Sequence, residues 1–80
     1  MDIEVARDIV RAAFRSSSEL QHLLGTLKAR CRPDEYQDYA RSIATAVDTI
    51  GTSLINKALA EHPELSAEIE TSIAKSGHYG

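Results

Sequence analysis

The sequence predicts an all-α protein in which two long helices pair as an antiparallel hairpin, followed by a short C-terminal helix. Apolar and small residues recur at steps of three and four in two runs, the spacing that places them on one side of an α-helix. These runs are Ile3, Ala6, Val10, Ala13, Ser17, Leu20, Leu24, Leu27, Cys31 and then Tyr36, Ala40, Ile43, Val47, Ile50, Leu54. Pro33 stands between the two runs, and a proline disfavours helical backbone at the residue before it.

The first helix is predicted over about residues 2–31. Asp2 can cap its first turn, where Glu4 is favoured by the helix dipole. The segment Ser16–Ser18, followed by Glu19, allows two interpretations, because a serine three residues before a glutamate can start a new helix. The unbroken apolar rhythm favours a continuous helix, since a serine costs only about 0.5 kcal/mol there relative to alanine.

The second helix is predicted over about residues 34–61. Pro33 suits a first helical turn, and acidic residues follow it where the helix dipole favours them. The apolar stripe drifts after Gly51, as a straight helix of 3.6 residues per turn drifts against a 3.5-residue seam. We therefore expect another element to cover the far side of this helix near its end.

A short third helix is predicted over about residues 64–76. Pro63 ends or bends the second helix, and Leu65, Ile69 and Ile73 then recur at steps of four. Gly77 is a typical residue just past a helix end. Residues 78–80 are expected to fray.

One hairpin cannot bury both apolar stripes well, so the sequence predicts self-association. The single domain of 80 residues has one cysteine and no disulfide framework, and small chains of this kind commonly gain stability by oligomerisation. Ile9, Phe14 and Leu23 widen the stripe of the first helix into the broad face typical of bundles. We expect a homodimeric four-helix bundle, whose core or dimer seam contains Ile3, Val10, Leu20, Leu24, Leu27, Tyr36, Ile43, Val47, Ile50 and Leu54.

Composition predicts a cytoplasmic protein without a membrane span. The lone Cys31 favours a reducing compartment, and the first residues lack the pattern of a signal peptide. No apolar stretch approaches the roughly 20 residues of a spanning helix. The net charge of −3 is uneven, with +2 over residues 1–32 and −5 over residues 33–80, which favours pairing of the two halves.

No motif predicts catalysis, a metal or a cofactor. Phosphate-binding glycine loops, paired cysteines and nucleophile motifs are absent from the sequence. The three histidines are never four residues apart, so the cluster around His62 is interpreted as a helix end with surface acids. Cys31 is interpreted as a small residue filling the hairpin turn. A third hypothesis is a pocket between subunits that binds a small apolar ligand, and Gly25 and Gly51 are the positions where its space would be expected.

The remaining hypothesis is a non-enzymatic interaction or regulatory protein that binds an unidentified protein partner. Its candidate contact surfaces are a basic stripe, Arg7, Arg11 and Arg15, and an acidic end, Glu61, Glu64 and Glu68. The alternative is a nucleic-acid-binding hairpin dimer that uses the basic stripe to contact phosphates. The acidic composition and the lack of interleaved aromatic residues favour the first hypothesis.

Overall fold

The computed structural model describes residues 1–77 and is all-helical. Its elements are α1 (Ile3–Arg30), α2 (Pro33–Thr49), a π-helical segment (Ile50–Ile55), α3 (Asn56–Glu61) and α4 (Glu64–Ser76). α2, the π-helical segment and α3 are continuous and are called the second helix below. The predicted all-α class is confirmed, with three helical rods and no strand over residues 1–77. The fraying expected of residues 78–80 lies outside the described residues.

α1 runs without a break through Ser16–Ser18, so the continuous interpretation of that segment holds. At its start the Asp2 carboxylate accepts a hydrogen bond of 3.2 Å from the backbone N–H of Glu4. At its end the Cys31 N–H donates to the Leu27 carbonyl over 2.8 Å. Both ends of the longest helix therefore satisfy part of their unpaired backbone groups.

A tight turn at Arg32 joins the two long helices. Pro33 occupies the first turn of α2, and the Glu35 carboxylate accepts a 3.1 Å hydrogen bond from the Arg32 N–H. The Arg32 carbonyl accepts the next one, from the Tyr36 N–H at 2.8 Å. This local pairing starts α2 directly after α1 and brings the second helix back along the first.

The core lies at the open end of the hairpin, where α4 packs. Its buried residues come from α1, α3 and α4, and they are Ala6, Val10, Ala58, Leu65 and Ile69. Ala6 and Ala58 have small side chains, so the two long helices approach closely there. Leu65 is fully buried, which stabilises the fold by about 2 kcal/mol. Near the turn no third helix is present over the described residues, and the apolar side chains there stay half-buried or exposed.

The π-helical segment changes which side of the second helix faces the core. A π turn holds more residues than an α turn, so the stripe that points to α1 before it is rotated after it. Ile55 and Ala58 point inward, whereas Leu54 is 46% exposed. The apolar pattern of the sequence changes phase after Gly51. The structure accommodates this change with a π turn and not with the gradual drift of a straight helix. The expected covering element is α4, which packs on Ala58 and Leu59.

Threonine side chains accompany this irregular stretch. The Thr49 hydroxyl donates to the Thr45 carbonyl over 2.9 Å, and the Thr52 hydroxyl donates to the Asp48 carbonyl over 3.0 Å. Such side-chain bonds compete with the regular helical ladder and often bend helices. They extend from the last turn of α2 into the first half of the π-helical segment.

The molecule is elongated and exposes more surface than a compact chain of its size. Its extents are 44 × 25 × 15 Å and its radius of gyration is 14.7 Å, against about 11.6 Å for a compact domain of this length. Its accessible surface is 5596 Å², against about 4,800 Å² for a folded monomer of this mass. The excess follows from this elongated shape.

We predict that the π-helical segment can lose one residue without loss of the fold. Deletion of Ser53, which is exposed, should convert the π turn into an α turn and keep Ala58 directed into the core. The melting temperature, measured by circular dichroism, should change little.

Deletion of Ser16 is the matched control, since α1 has no extra residue to absorb the loss. That deletion rotates one half of α1 against the other by about 100° and should cost at least about 3 kcal/mol through lost burial. Equal destabilisation by the two deletions would contradict the role assigned to the π turn.

Candidate interaction surfaces

Large apolar side chains are left exposed along α1. Val5 is 48% exposed and Leu23 is 43% exposed. They are eighteen residues apart, which is five full helical turns, so they lie on one line about 27 Å long. Arg7, whose side chain contacts α4, is about 160° around the helix from this line. The Val5–Leu23 line therefore faces away from α4.

A second apolar line runs along the neighbouring helix. Tyr39 is 54% exposed and Leu54 is 46% exposed, with half-buried Ile50 between them. Leu59, which packs in the core against α4, is on another side of this helix. In an antiparallel hairpin the two lines then share one surface, which we call the apolar face: Val5, Leu23, Tyr39, Ile50 and Leu54.

The predicted seam lies mainly between the two long helices of one chain. Val10 and Ile43 are buried, while Leu54 is exposed because the π turn rotates it out of the contact. The other seam residues are half-buried; they are Ile3, Leu20, Leu24, Leu27, Tyr36, Val47 and Ile50. Half-burial over most of a seam means that its apolar side chains remain only partly covered within one copy.

The basic stripe and the acidic end, which the sequence presents as separate surfaces, meet in the fold. The Arg7 Nε donates to both carboxylate oxygens of Glu68 at 3.0 Å, and its guanidinium also contacts the Glu4 carboxylate. Hydrogen bonding to Glu68 raises the pKa of Arg7 above its ordinary value. The pair joins α1 to α4, so two of the proposed contact residues serve the packing of the fold.

The other charged candidates differ in their surroundings. Arg11 lies 3.9 Å from the Asp8 carboxylate. Arg15 is exposed beside a groove described below, and Glu61 is exposed at the end of α3. The basic stripe is therefore not a uniform row of cations, which weakens its suitability as a phosphate-contacting surface.

His62 links the first residue of the chain to the start of α4. Its Nε2 lies 2.7 Å from the Met1 carbonyl and its Nδ1 lies 3.2 Å from the Glu64 carboxylate. The Met1 carbonyl and then Glu64 raise the pKa of His62. The pKa of Glu64 is lowered, by hydrogen bonding to its own backbone and then to His62. The sequence pattern indicates only that a helix ends at His62. The neighbouring Pro63-Glu64 is the one local sign in the sequence that His62 makes a further contact.

A groove of about 750 Å³ lies on the α4 side of the hairpin, beside the last turn of α4. Its floor contains Phe14, Val47, Gly51 and Ile55. Its rim carries charged and polar side chains, including Arg11, Arg15, Ser18, Glu19, Gln21 and His22. A Cβ added at Gly51 would meet no atom within 4 Å, and the same holds at Gly25. Of the two glycines expected to provide space, Gly51 lines this groove.

Comparison with known proteins gives no guide to function. No protein-family model, no curated protein and no solved structure matches this chain. Over residues 1–77, no three His, Cys, Asp or Glu side chains gather where they could hold a metal ion. None of the helices in the same range combines the length and the apolar character needed to cross a bilayer. A function must therefore be inferred from the surfaces of the molecule.

We predict that the Arg7–Glu68 pair holds α4 on the hairpin. Arg7→Glu should lower the melting temperature by placing two carboxylates opposite each other, and the double variant Arg7→Glu with Glu68→Arg should recover part of the loss. Arg11→Glu serves as the matched control, because Arg11 is one turn farther along the same stripe. Thermal unfolding followed by circular dichroism measures all four proteins; equal losses for Arg7→Glu and Arg11→Glu would count against the pair.

We also predict that His62 makes stability depend on pH. A raised folded-state pKa means that its contribution is fully present below about pH 6.5, the ordinary histidine value, and is lost as pH rises through the raised value. The lowered pKa of Glu64 acts in the opposite sense, since its contribution is lost as pH falls below about 4.5.

Urea unfolding of the wild type and of His62→Gln between pH 5 and pH 9 measures this effect. The difference in unfolding free energy should be largest near the acidic end of that range and should shrink as the pH rises. A difference that stays constant with pH would rule out the proposed protonation.

Proposed function

We propose that this chain is a small non-enzymatic interaction protein that acts as a homodimer through its apolar face. The observation that carries the proposal is the set of large apolar side chains, about half exposed, on the side of the hairpin away from α4. Monomeric soluble proteins rarely leave a long apolar patch open, and such patches mark association surfaces. In the proposed dimer, a second copy of the chain covers this face.

The excess surface of the chain agrees with this arrangement. The accessible area of 5596 Å² exceeds that of a compact monomer by about 800 Å². A standard protein interface buries about 800 Å² on each partner. Covering the apolar face once would therefore return the chain to an ordinary exposed area.

A two-fold axis through this face would produce a four-helix bundle. Each copy would supply α1 and its second helix, and both copies of α4 would lie on the outer sides. Two-fold interfaces use the same patch on both partners. Residues 1–32 carry +2 and residues 33–61, which form the second helix, carry −3, so α1 of one copy is electrostatically suited to the second helix of the other.

A regulatory or scaffolding role follows from what the proposed dimer would expose. Its outer surfaces would be the two α4 sides, with their charged residues and grooves, available to a different protein. The free Cys31 is half-buried at the hairpin turn, and a single thiol suits a reducing compartment such as the cytoplasm.

The oligomeric state tests the proposal. Sedimentation velocity at low micromolar concentration should give a species of twice the 8.8 kDa chain mass. Leu23→Glu should weaken the dimer by at least about 100-fold, because the introduced carboxylate would be buried without a partner. Leu54→Glu should have the same effect from the second helix.

The matched control is Ile73→Glu. Ile73 is a comparably exposed apolar residue, at 41%, but it lies on α4 beside the groove. This variant should remain dimeric. A wild-type monomer, or a Leu23→Glu protein that is still a dimer, would overturn the proposal.

A further inference from the structure

α4 covers only the open half of the hairpin. It has 13 residues and α1 has 28, which correspond to about 20 Å and about 42 Å of helix. The groove begins beside Ile73 and Gly77, at the last turn of α4, and continues along α1. Its α1 wall, from Arg11 to His22, is about 16 Å long, which is the length of a helix of about three turns.

α4 itself shows what kind of helix fits this side of the hairpin. Leu65 and Ile69, four residues apart, insert between α1 and α3. Glu68, three residues after Leu65, pairs with Arg7 on α1. α4 therefore docks through apolar residues at positions i and i+4 and a carboxylate at position i+3. The surface that it contacts combines apolar side chains with an arginine.

The groove offers the same two features, apolar side chains and an arginine, farther along α1. Arg15 is two steps of four after Arg7, about 12 Å farther along α1 and about 80° around it. Among the residues that the structure describes, it has no carboxylate partner. The floor beside it is apolar, from Phe14 and Val47, and the space above Gly51 is open. An apolar floor with an adjacent cation is complementary to an acidic amphipathic helix.

We propose that this groove binds an acidic amphipathic helix of about three turns from a partner protein. Apolar residues of that helix at i and i+4 occupy the floor, and a carboxylate at i+3 contacts Arg15. The ligand helix extends the line of α4, so that the whole hairpin is covered by a third helical layer on this side. The site is separate from the apolar face, so the proposal does not depend on the dimer.

A peptide with the sequence of residues 63–76 is the probe, because it carries the α4 pattern. Fluorescence anisotropy of the labelled peptide, titrated with the 80-residue protein, should show saturable binding of one peptide per chain that weakens with salt. Arg15→Glu should weaken binding about tenfold. A second peptide, in which lysine replaces Glu68, should bind the Arg15→Glu protein more tightly than it binds the wild-type protein.

Three further variants locate the bound peptide on the surface of the protein. Arg30→Glu, on the same helix but outside the groove, should leave binding unchanged. Gly51→Leu should abolish binding while the protein stays folded, because the new side chain enters the open space of the groove. Leu23→Glu should still bind the peptide, whether or not it is a dimer.

Two results would overturn the proposal. One is the absence of saturable binding to the wild type. The other is binding that is lost in Arg7→Glu but retained in Arg15→Glu, since the peptide would then be replacing α4 in its own site.

Discussion

The packing of a short α4 against the open end of a long hairpin is the constraint on which the rest of the structure depends. Leu65 and Ile69 complete a core with Val10 of α1 and Ala58 of α3, and apolar burial is the main favourable term in folding. Because α4 has fewer than half the residues of α1, this core is confined to one end. The elongated shape, the half-buried seam and the open groove all follow from that difference in length.

The π-helical segment lets one helix meet two different requirements. Before it, the second helix turns its stripe, including Ile43 and Val47, toward α1. After it, Ala58 and Leu59 contribute to the core beneath α4. A regular helix would keep Leu54 close to the earlier stripe, whereas the extra residue leaves it exposed beside Ile50. The irregular turn thus completes the core on one side and extends the apolar face on the other.

The two sides of the hairpin differ in chemistry, which is why they support different proposals. The side away from α4 is apolar and large, the character of a self-association surface. The α4 side combines an apolar floor with arginines at steps of four, one of which already holds a glutamate of the same chain. The ion pair between Arg7 and Glu68 joins α4 to α1 and indicates the charge of a helix suited to the rest of this side.

Much of the fold was determined by the sequence alone. The three-and-four spacing, the cap at Asp2 and the Pro33 turn are local signals, so the helix positions and the hairpin could be predicted from them. The Arg7–Glu68 pair, the His62 contacts with Met1 and Glu64, and the exposure of Leu54 could not. Arg7–Glu68 and His62–Met1 join groups 61 residues apart, and the position of Leu54 depends on a single π turn. Only the tertiary structure decided these features, because helical periodicity reports which residues share a side of one helix and not which helix that side will meet.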